Sequence, residues 1–130
     1  MRTFVALPVA AILLAGCTTE ATYASRCGGL MPEWRKPNDG SPHHSLRLHV
    51  GINGSGGITW NNQAVNERTL ARYLDVSRQM NPLPFLILKA DADAPCAAVE
   101  QVRALMGQRF CKSQVSSCGE GDGEWLERMY

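Results

Sequence analysis

Glycine is densest in the stretch GINGSGGITWNN, which covers residues 51–62. Closely spaced glycines bind phosphate where a strand passes directly into a helix, because the aligned N–H groups and the helix dipole hold the anion. Here the glycines lead into ITW, residues 58–60, a β-branched and aromatic stretch typical of a strand. The stretch also lacks Gly-Lys-Ser/Thr and the G-x-G-x-x-G spacing. It therefore predicts a hairpin turn, in which glycine supplies positive φ, and no nucleotide site.

Two clusters of titratable side chains offer ligand or acid–base chemistry. His43 and His44 lie close to Asp39, but neighbouring side chains on an extended chain point apart, so a solvated linker is favoured over a metal site. Asp91 and Asp93 follow an apolar run, at the end of a strand where α/β folds place function. Paired carboxylates can move protons or bind calcium; their structural role would be to end the strand and cap the next helix.

No serine–histidine or cysteine–histidine motif accompanies these carboxylates. Nucleophilic catalysis needs a nucleophile and a base within hydrogen-bonding reach. The sequence therefore predicts a protein that is not an enzyme, with no catalytic residue, no metal site and no cofactor.

The N-terminal segment predicts export and lipidation. Arg2 precedes the apolar run FVALPVAAILLAG, which is too short for a helix that spans a bilayer. The run ends in LLAGC, a match to the bacterial lipobox, in which the cysteine thiol carries diacylglycerol. Residues 1–16 are thus predicted to be a lipoprotein signal peptide and Cys17 the lipidated residue, with an ordinary secretory signal or a retained membrane anchor as the alternatives. Thr18, where aspartate would signal inner-membrane retention, favours the outer membrane and a periplasm-facing domain.

The charge balance excludes one class of partner. Cleavage of the signal removes Arg2 from the 13 basic residues and leaves 12, against 12 acidic residues. A protein that binds nucleic acid needs an excess or a patch of positive charge. We therefore expect no nucleic-acid partner, and contact with the membrane through the lipid alone.

Four cysteines follow the lipidation site: Cys27, Cys96, Cys111 and Cys118. An even number of cysteines in an oxidising compartment predicts two disulfides. Free buried thiols and a zinc site are the alternatives. Zinc is disfavoured because the chain has no C-x-x-C and its three histidines are distant in sequence from these cysteines.

Around these residues the pattern predicts one small domain. Residues 17–44 are rich in Thr, Ser, Gly, Pro and Asn and are predicted to form an irregular arm. In SLRLHVGI, Leu46, Leu48, Val50 and Ile52 alternate with polar residues such as His49, which predicts a half-buried strand. ITWNNQAV is predicted to be a second strand with a bend at its two asparagines.

The second half of the chain predicts two helices and two strands. Asn66 caps an amphipathic helix that ends before NPLP. FLILKA is apolar on both faces and predicts a central strand. A second helix runs from about Cys96 to Gln108, KSQVSSC predicts a weaker last strand, and residues 119–130 a flexible tail. The order β-β-α-β-α-β predicts an α+β domain over residues 45–118, a mixed sheet with two helices on one face.

This core resembles the periplasmic domain of the ExbD/TolR family of biopolymer-transport proteins, from Leu46 to about Val115. Three segments carry the resemblance: LRLHVGINGSGGITWNNQAVNERTLARYL, PFLILKADADAP and CAAVEQVRALM. They resemble the family's two strands with a glycine turn and helix, its apolar strand ending in Ala-Asp, and its following helix. Ala90 and Asp91 stand at the family's Ala-Asp position.

The resemblance implies a function. Members of this family couple an inner-membrane proton motor to work at the outer membrane, and their periplasmic domains dimerise and contact a partner protein or peptidoglycan. Here the family's transmembrane helix and its proton-carrying aspartate are replaced by a lipoprotein signal with no acidic residue before Glu20, so proton coupling is not expected. The expected function is that of a lipid-anchored accessory protein of envelope transport; the alternative is a stand-alone lipoprotein that binds a small ligand.

The predicted topology also favours one disulfide pairing. A β-α-β crossover brings the end of the last strand near the start of the preceding helix. Cys118 is then expected near Cys96, with Cys111 at the opposite end. This favours Cys96–Cys118 and Cys27–Cys111 over the other two pairings.

Overall fold

The computed structural model describes Thr3, Val5 and residues 22–43 and 45–127. The elements are α1 (Tyr23–Arg26), β1 (Arg47–Ile52), β2 (Ile58–Trp60), β3 (Gln63–Val65), α2 (Glu67–Arg78), β4 (Phe85–Ala90), α3 (Cys96–Arg109) and β5 (Cys118–Glu120), with 3-10 turns at Pro37–Asp39, Cys111–Ser113 and Val115–Ser117. Within this part of the chain, no helix is long and apolar enough to cross a membrane. Apart from Thr3 and Val5, the predicted signal peptide lies outside the described residues, as do Cys17 and His44.

The strands form one five-stranded sheet in the order β3-β2-β1-β4-β5. β1 pairs parallel with β4 and antiparallel with β2, β4 pairs parallel with β5, and β2 pairs antiparallel with β3. The apolar residues of α2 and α3 share one buried cluster with alternate residues of β1 and β4: Leu70, Leu74, Val99, Val102, Met106, Leu48, Val50, Ile52, Leu86 and Leu88. The predicted α+β mixed sheet with both helices on one face is therefore confirmed.

The alternation in β1 decides which face of the sheet is buried. Leu48, Val50 and Ile52 are buried, whereas His49 between them is exposed. Because side chains alternate across a strand, these three residues face the helices and His49 faces the opposite side. Leu46, which the sequence pattern placed with the buried set, lies before the strand and is 53% exposed.

The turn between β1 and β2 and the turn between β2 and β3 both depend on asparagine. In the glycine stretch, the Asn53 side-chain oxygen accepts the N–H groups of Ser55 at 3.1 Å and Gly57 at 2.7 Å. The predicted hairpin turn is confirmed. The single bent strand predicted after it is wrong, because Asn61 and Asn62 have φ of 47° and 69°. Two successive left-handed residues form a two-residue hairpin turn, so ITW and QAV become two antiparallel strands.

Asn66 caps α2 as predicted, and its side chain accepts the N–H of Thr69 at 2.8 Å. α3 is different. Its N-cap residue is Pro95 and no side chain caps its first turn, so the capping role expected for the Asp91 and Asp93 pair is wrong.

The last strand begins later than the sequence predicted. Residues 111–113 and 115–117 form 3-10 turns, and β5 is Cys118–Glu120. The strand pairs Leu86 with Cys118 and Leu88 with Glu120. The predicted domain end at residue 118 is therefore wrong, since residues 119 and 120 belong to the sheet. Beyond them, the Trp125 ring lies 5.4 Å from the Phe85 ring and covers part of the face opposite the helices.

The predicted disulfide pairing is wrong. The bonds are Cys27–Cys96, with Cα atoms 5.2 Å apart, and Cys111–Cys118, with Cα atoms 5.9 Å apart. The crossover rule was applied to a strand that ended at Cys118. Because Cys118 is instead the first residue of β5, the same rule places it near the C-terminal end of α3, beside Cys111. Cys96, the first residue of α3, therefore pairs with Cys27.

Residues 22–43, which we call the arm, pack against the domain. Tyr23 and Trp34 are buried, with 1% and 4% of their surface exposed. The N–H of Arg35 donates to the carbonyl of Cys118, and its carbonyl accepts the N–H of Glu120, each at 2.9 Å. The arm thus pairs with the outer edge of β5, and the sheet edge at β3 is left without a neighbouring strand among the described residues.

Candidate functional site

A buried ion pair holds the arm, α3 and β5 together. Nε of Arg103 donates to Oε1 of Glu120 at 2.8 Å. Glu120 is fully buried and Arg103 is 8% exposed. A buried charge is tolerated only when it is paired and hydrogen-bonded, because transfer out of water costs several kcal/mol per ion.

The arm supplies the remaining partners of this pair. Arg103 donates to the carbonyl of Cys27 at 3.0 Å and to that of Gly29 at 2.6 Å. The second carboxylate oxygen of Glu120 accepts the N–H of Met31 at 2.9 Å. With its donors and acceptors satisfied by fixed backbone, the pair positions the arm and has no group left over for chemistry on a ligand.

Positioned in this way, the arm forms one wall of a cleft of about 540 Å³, which we call the arm cleft. Met31 and Trp34 line it from the arm, Ala104 and Gly107 from α3, and Val115 from the turn before β5. Carboxylates of Glu33 and Glu100 and the ammonium of Lys112 also line it. The residues that line the arm cleft include no serine, histidine or free thiol.

A second concavity lies on the sheet face opposite the helices. This sheet pit, of about 470 Å³, is lined by His49, Val50, Gly51, Ile52, Asn53, Thr59, Asn62, Lys89 and Asp91. Gly51 pairs with Thr59 on one side and Lys89 on the other. A Cβ atom at Gly51 would lie 2.3 Å from Oγ1 of Thr59, so the absence of a side chain there creates the pit.

Full burial of Tyr23 and partial desolvation of the largely exposed His49 change the pKa values of these two residues. The pKa of His49 lies below its usual 6.5, first because of burial and then because of the nearby cations of Arg47 and Lys89. The imidazole is therefore neutral at pH 7, with one donor and one acceptor nitrogen. The pKa of the Tyr23 hydroxyl is raised, first by burial and then by the Glu120 carboxylate, so this residue stays neutral too.

The structure separates the carboxylates that the sequence placed together. Asp91 lines the sheet pit, whereas Asp93 lies against the glycine turn, with a carboxylate oxygen 2.4 Å from where a Cβ of Gly54 would be. Ala90, which directly precedes Asp91, is buried among the helix-facing residues. His43 lies 3.6 Å from the carboxylate of Glu127. Among the described residues, no three His, Cys, Asp or Glu side chains lie together as metal ligands would.

Sequence reasoning missed the residues that matter most to the arm. Arg103 is a charged residue, which is ordinarily expected at the surface, and Glu120 lies in a segment predicted to be a tail. Their pairing depends on contacts with residues 27–31, far away in the sequence. For the sheet pit, by contrast, the sequence does contain a signal. Gly51 is a glycine inside a strand, which often marks a close approach or an opening in the sheet surface.

No family model matches this chain, and no curated protein matches it. The candidate sites therefore depend on their geometry alone.

Proposed function

We propose that this chain is a lipid-anchored, non-enzymatic binding protein of the bacterial cell envelope, facing the periplasm from the outer membrane. The observation that carries the proposal is a lipobox ending in Cys17 ahead of a domain closed by two disulfides. Disulfides persist in oxidising compartments such as the periplasm and are rare in the cytosol. Both features thus point outside the cytoplasm.

The proposed role is that of an accessory protein in envelope transport, similar to the ExbD/TolR periplasmic domain without its motor helix. The mixed sheet with both helices on one face is the arrangement that the resemblance implies. The edge of β3, which has no neighbouring strand among the described residues, offers a place where a partner strand or a second copy would add to the sheet. The partners we propose are a transport component or peptidoglycan, with a homodimer as the assembled form.

The anchor limits how far such a partner can be from the membrane. Thr22 is five residues after Cys17. Five residues span at most about 18 Å, even when fully extended. The arm would therefore hold the domain close to the lipid surface, so we expect contacts with proteins or polymer next to that membrane.

Lipidation can be tested by metabolic labelling with palmitate. Wild-type protein should take up the label and partition with the outer membrane, and Cys17→Ser should lose both properties. Thr18→Asp should keep the label but move to the inner-membrane fraction, whereas Thr18→Ser should not move. Equal labelling of wild type and Cys17→Ser would reject the anchor.

The partner can be tested by crosslinking in intact envelopes. A photoreactive residue at Ala64, which is exposed on β3, should crosslink the protein to itself, to a transport component or to peptidoglycan. The same group at Glu100, on the other side of the fold, is the matched control. Identical products from both positions, or none from Ala64, would argue against a partner at this edge.

A second candidate function is favoured by the arm cleft. Its volume lies within the range of about 300–1,000 Å³ typical of small-molecule sites, and Trp34 and Met31 give it an apolar wall. A stand-alone ligand-binding lipoprotein would remain a monomer and show a thermal shift with a specific compound. Gly107→Leu should abolish that shift by filling the cleft, since a side chain at Gly107 enters open space.

A further inference from the structure

The sheet pit has the composition of a site for a small charged ligand. Lys89 and Asp91 lie two residues apart on β4 and its extension, so their side chains leave the same face of the sheet. Two residues of a strand span about 6.6 Å. Two residues of opposite charge therefore line one concavity.

These charges are not neutralised within the domain. Among residues 22–43 and 45–127, no hydrogen bond or ion pair engages the side chains of His49, Lys89 or Asp91. The contrast with Arg103 and Glu120 is clear, since every donor group of that arginine that faces the arm has an acceptor. Lys89 and Asp91 are exposed, so both side chains are accessible to a ligand.

Between the charged ends, the pit offers neutral hydrogen-bonding groups. The hydroxyl of Thr59 leans over Gly51, and the amide of Asn62 and the imidazole of His49 also line the pit. These groups include both donors and acceptors. They match a single peptide group, which needs one acceptor for its N–H and one donor for its carbonyl.

We propose that the sheet pit binds a small zwitterion of dipeptide length, with its carboxylate at Lys89 and its ammonium at Asp91. An extended dipeptide spans about 7 Å, close to the spacing of the two charged residues along the strand. A dianion would be repelled by Asp91 and a diamine by Lys89, so the pair of charges selects for a ligand with one of each. This inference goes beyond the proposed function and does not depend on lipidation.

The test is calorimetric titration of the full chain, purified in detergent, with L-alanyl-L-alanine. The N-acetylated dipeptide lacks the ammonium, the dipeptide amide lacks the carboxylate, and L-alanine is too short to reach both ends. The unmodified dipeptide should bind about two- to fivefold more tightly than each of these three, because an ion pair with an exposed charged side chain is worth a factor of that size.

Variants assign each end of the ligand to a residue. Lys89→Met should weaken binding of the dipeptide by about two- to fivefold but leave binding of its amide unchanged. Asp91→Asn should weaken binding of the dipeptide by a similar factor but leave binding of its N-acetyl form unchanged. Gly51→Ser, which fills the pit, should abolish binding. Lys112→Met, which removes the same charge from the arm cleft, is the matched control and should bind like wild type.

Several results would overturn the proposal. One is that the blocked dipeptides bind as tightly as the free dipeptide. Another is that Lys89→Met and Asp91→Asn bind the dipeptide like wild type, which would place the ligand elsewhere. Absence of any binding heat at millimolar dipeptide would also reject the pit as a site for this class of ligand.

Discussion

The two halves of this sheet are stabilised in different ways. One half, which contains β1, β2, β3 and α2, is shaped by asparagines that act within a turn or between neighbouring strands: Asn53, Asn61, Asn62 and Asn66. The other half, which contains the arm, α3 and β5, is joined by two disulfides and the Arg103–Glu120 pair. We call these the turn half and the linked half.

The difference concerns the distance along the chain over which each contact acts. The side chains of Asn53 and Asn66 bond to groups two to four residues away, and that of Asn61 accepts the N–H of His49, 12 residues away, at 2.9 Å. In the linked half, Cys27 and Cys96 are 69 residues apart and Arg103 bonds to a carbonyl 76 residues away. Loss of one asparagine should therefore weaken one turn, whereas loss of one partner in the linked half should release the whole arm.

The largest effect is expected from Arg103→Ala. This substitution leaves the carboxylate of Glu120 buried without its cation and leaves two arm carbonyls without a donor. We expect a loss of about 3–5 kcal/mol in the free energy of unfolding, measured by urea denaturation of the oxidised protein.

Two further variants sharpen this prediction. Arg109→Ala breaks a pair with Asp75 in which both side chains are nearly half exposed, and we expect it to cost about 0–1 kcal/mol. The double variant Arg103→Met with Glu120→Leu removes both charges and should recover much of the loss, because no charge is left buried alone. Equal costs for Arg103→Ala and Arg109→Ala would contradict the structural role given to the pair.

The two disulfides should differ in what they contribute. Each disulfide stabilises the fold by lowering the conformational entropy of the unfolded chain. This stabilisation is about 4 kcal/mol for the loop between Cys27 and Cys96, which are 69 residues apart. It is about 2 kcal/mol for the loop between Cys111 and Cys118, which are 7 residues apart. Cys27→Ser with Cys96→Ser should therefore lower the urea midpoint more than Cys111→Ser with Cys118→Ser. The reverse order would show that strain or residual structure outweighs loop length.

The same distinction explains what the sequence could predict. The alternation at Leu48, Val50 and Ile52, the N-cap at Asn66 and the glycine turn are local patterns, and each was predicted and confirmed. The two-residue turn at Asn61 and Asn62 was also a local signal, but it was interpreted as a bend because the sequence alone did not show two left-handed residues in succession.

The linked half could not be predicted in this way. The start of β5 at Cys118 depends on pairing with β4 and with Arg35 of the arm, neither of which leaves a pattern near residue 118. An error of a few residues in the predicted start of β5 was enough to pair Cys118 with Cys96 instead of with Cys111. Of the sheet pit, the sequence identified Asp91, but Lys89, Thr59 and His49 meet there only through the register of three strands.

In the turn half, Asn62 gives a direct test of the local contacts. Its φ of 69° suits asparagine or glycine but costs a β-branched residue about 1–2 kcal/mol. Asn62→Val should therefore destabilise the protein by that amount, whereas Asn62→Gly should leave it as stable as wild type. The comparison would be weakened if both variants unfolded at the same urea concentration, since the turn would then not depend on the left-handed conformation.

The smallest expected effect concerns His49 on the open face of the turn half. Its folded-state pKa lies below 6.5, through burial first and then through Arg47 and Lys89. Below pH 6.5 the unfolded chain therefore binds a proton that the folded protein resists, and stability falls as the pH is lowered through this window. His49→Gln should remove that part of the acid destabilisation, which is checked by comparing urea midpoints at pH 7 and pH 5.

NMR titration of the imidazole should give a midpoint below 6.5 that rises in Lys89→Met, because one neighbouring cation is gone. A midpoint unchanged by that substitution would mean that Lys89 does not share the pit with His49.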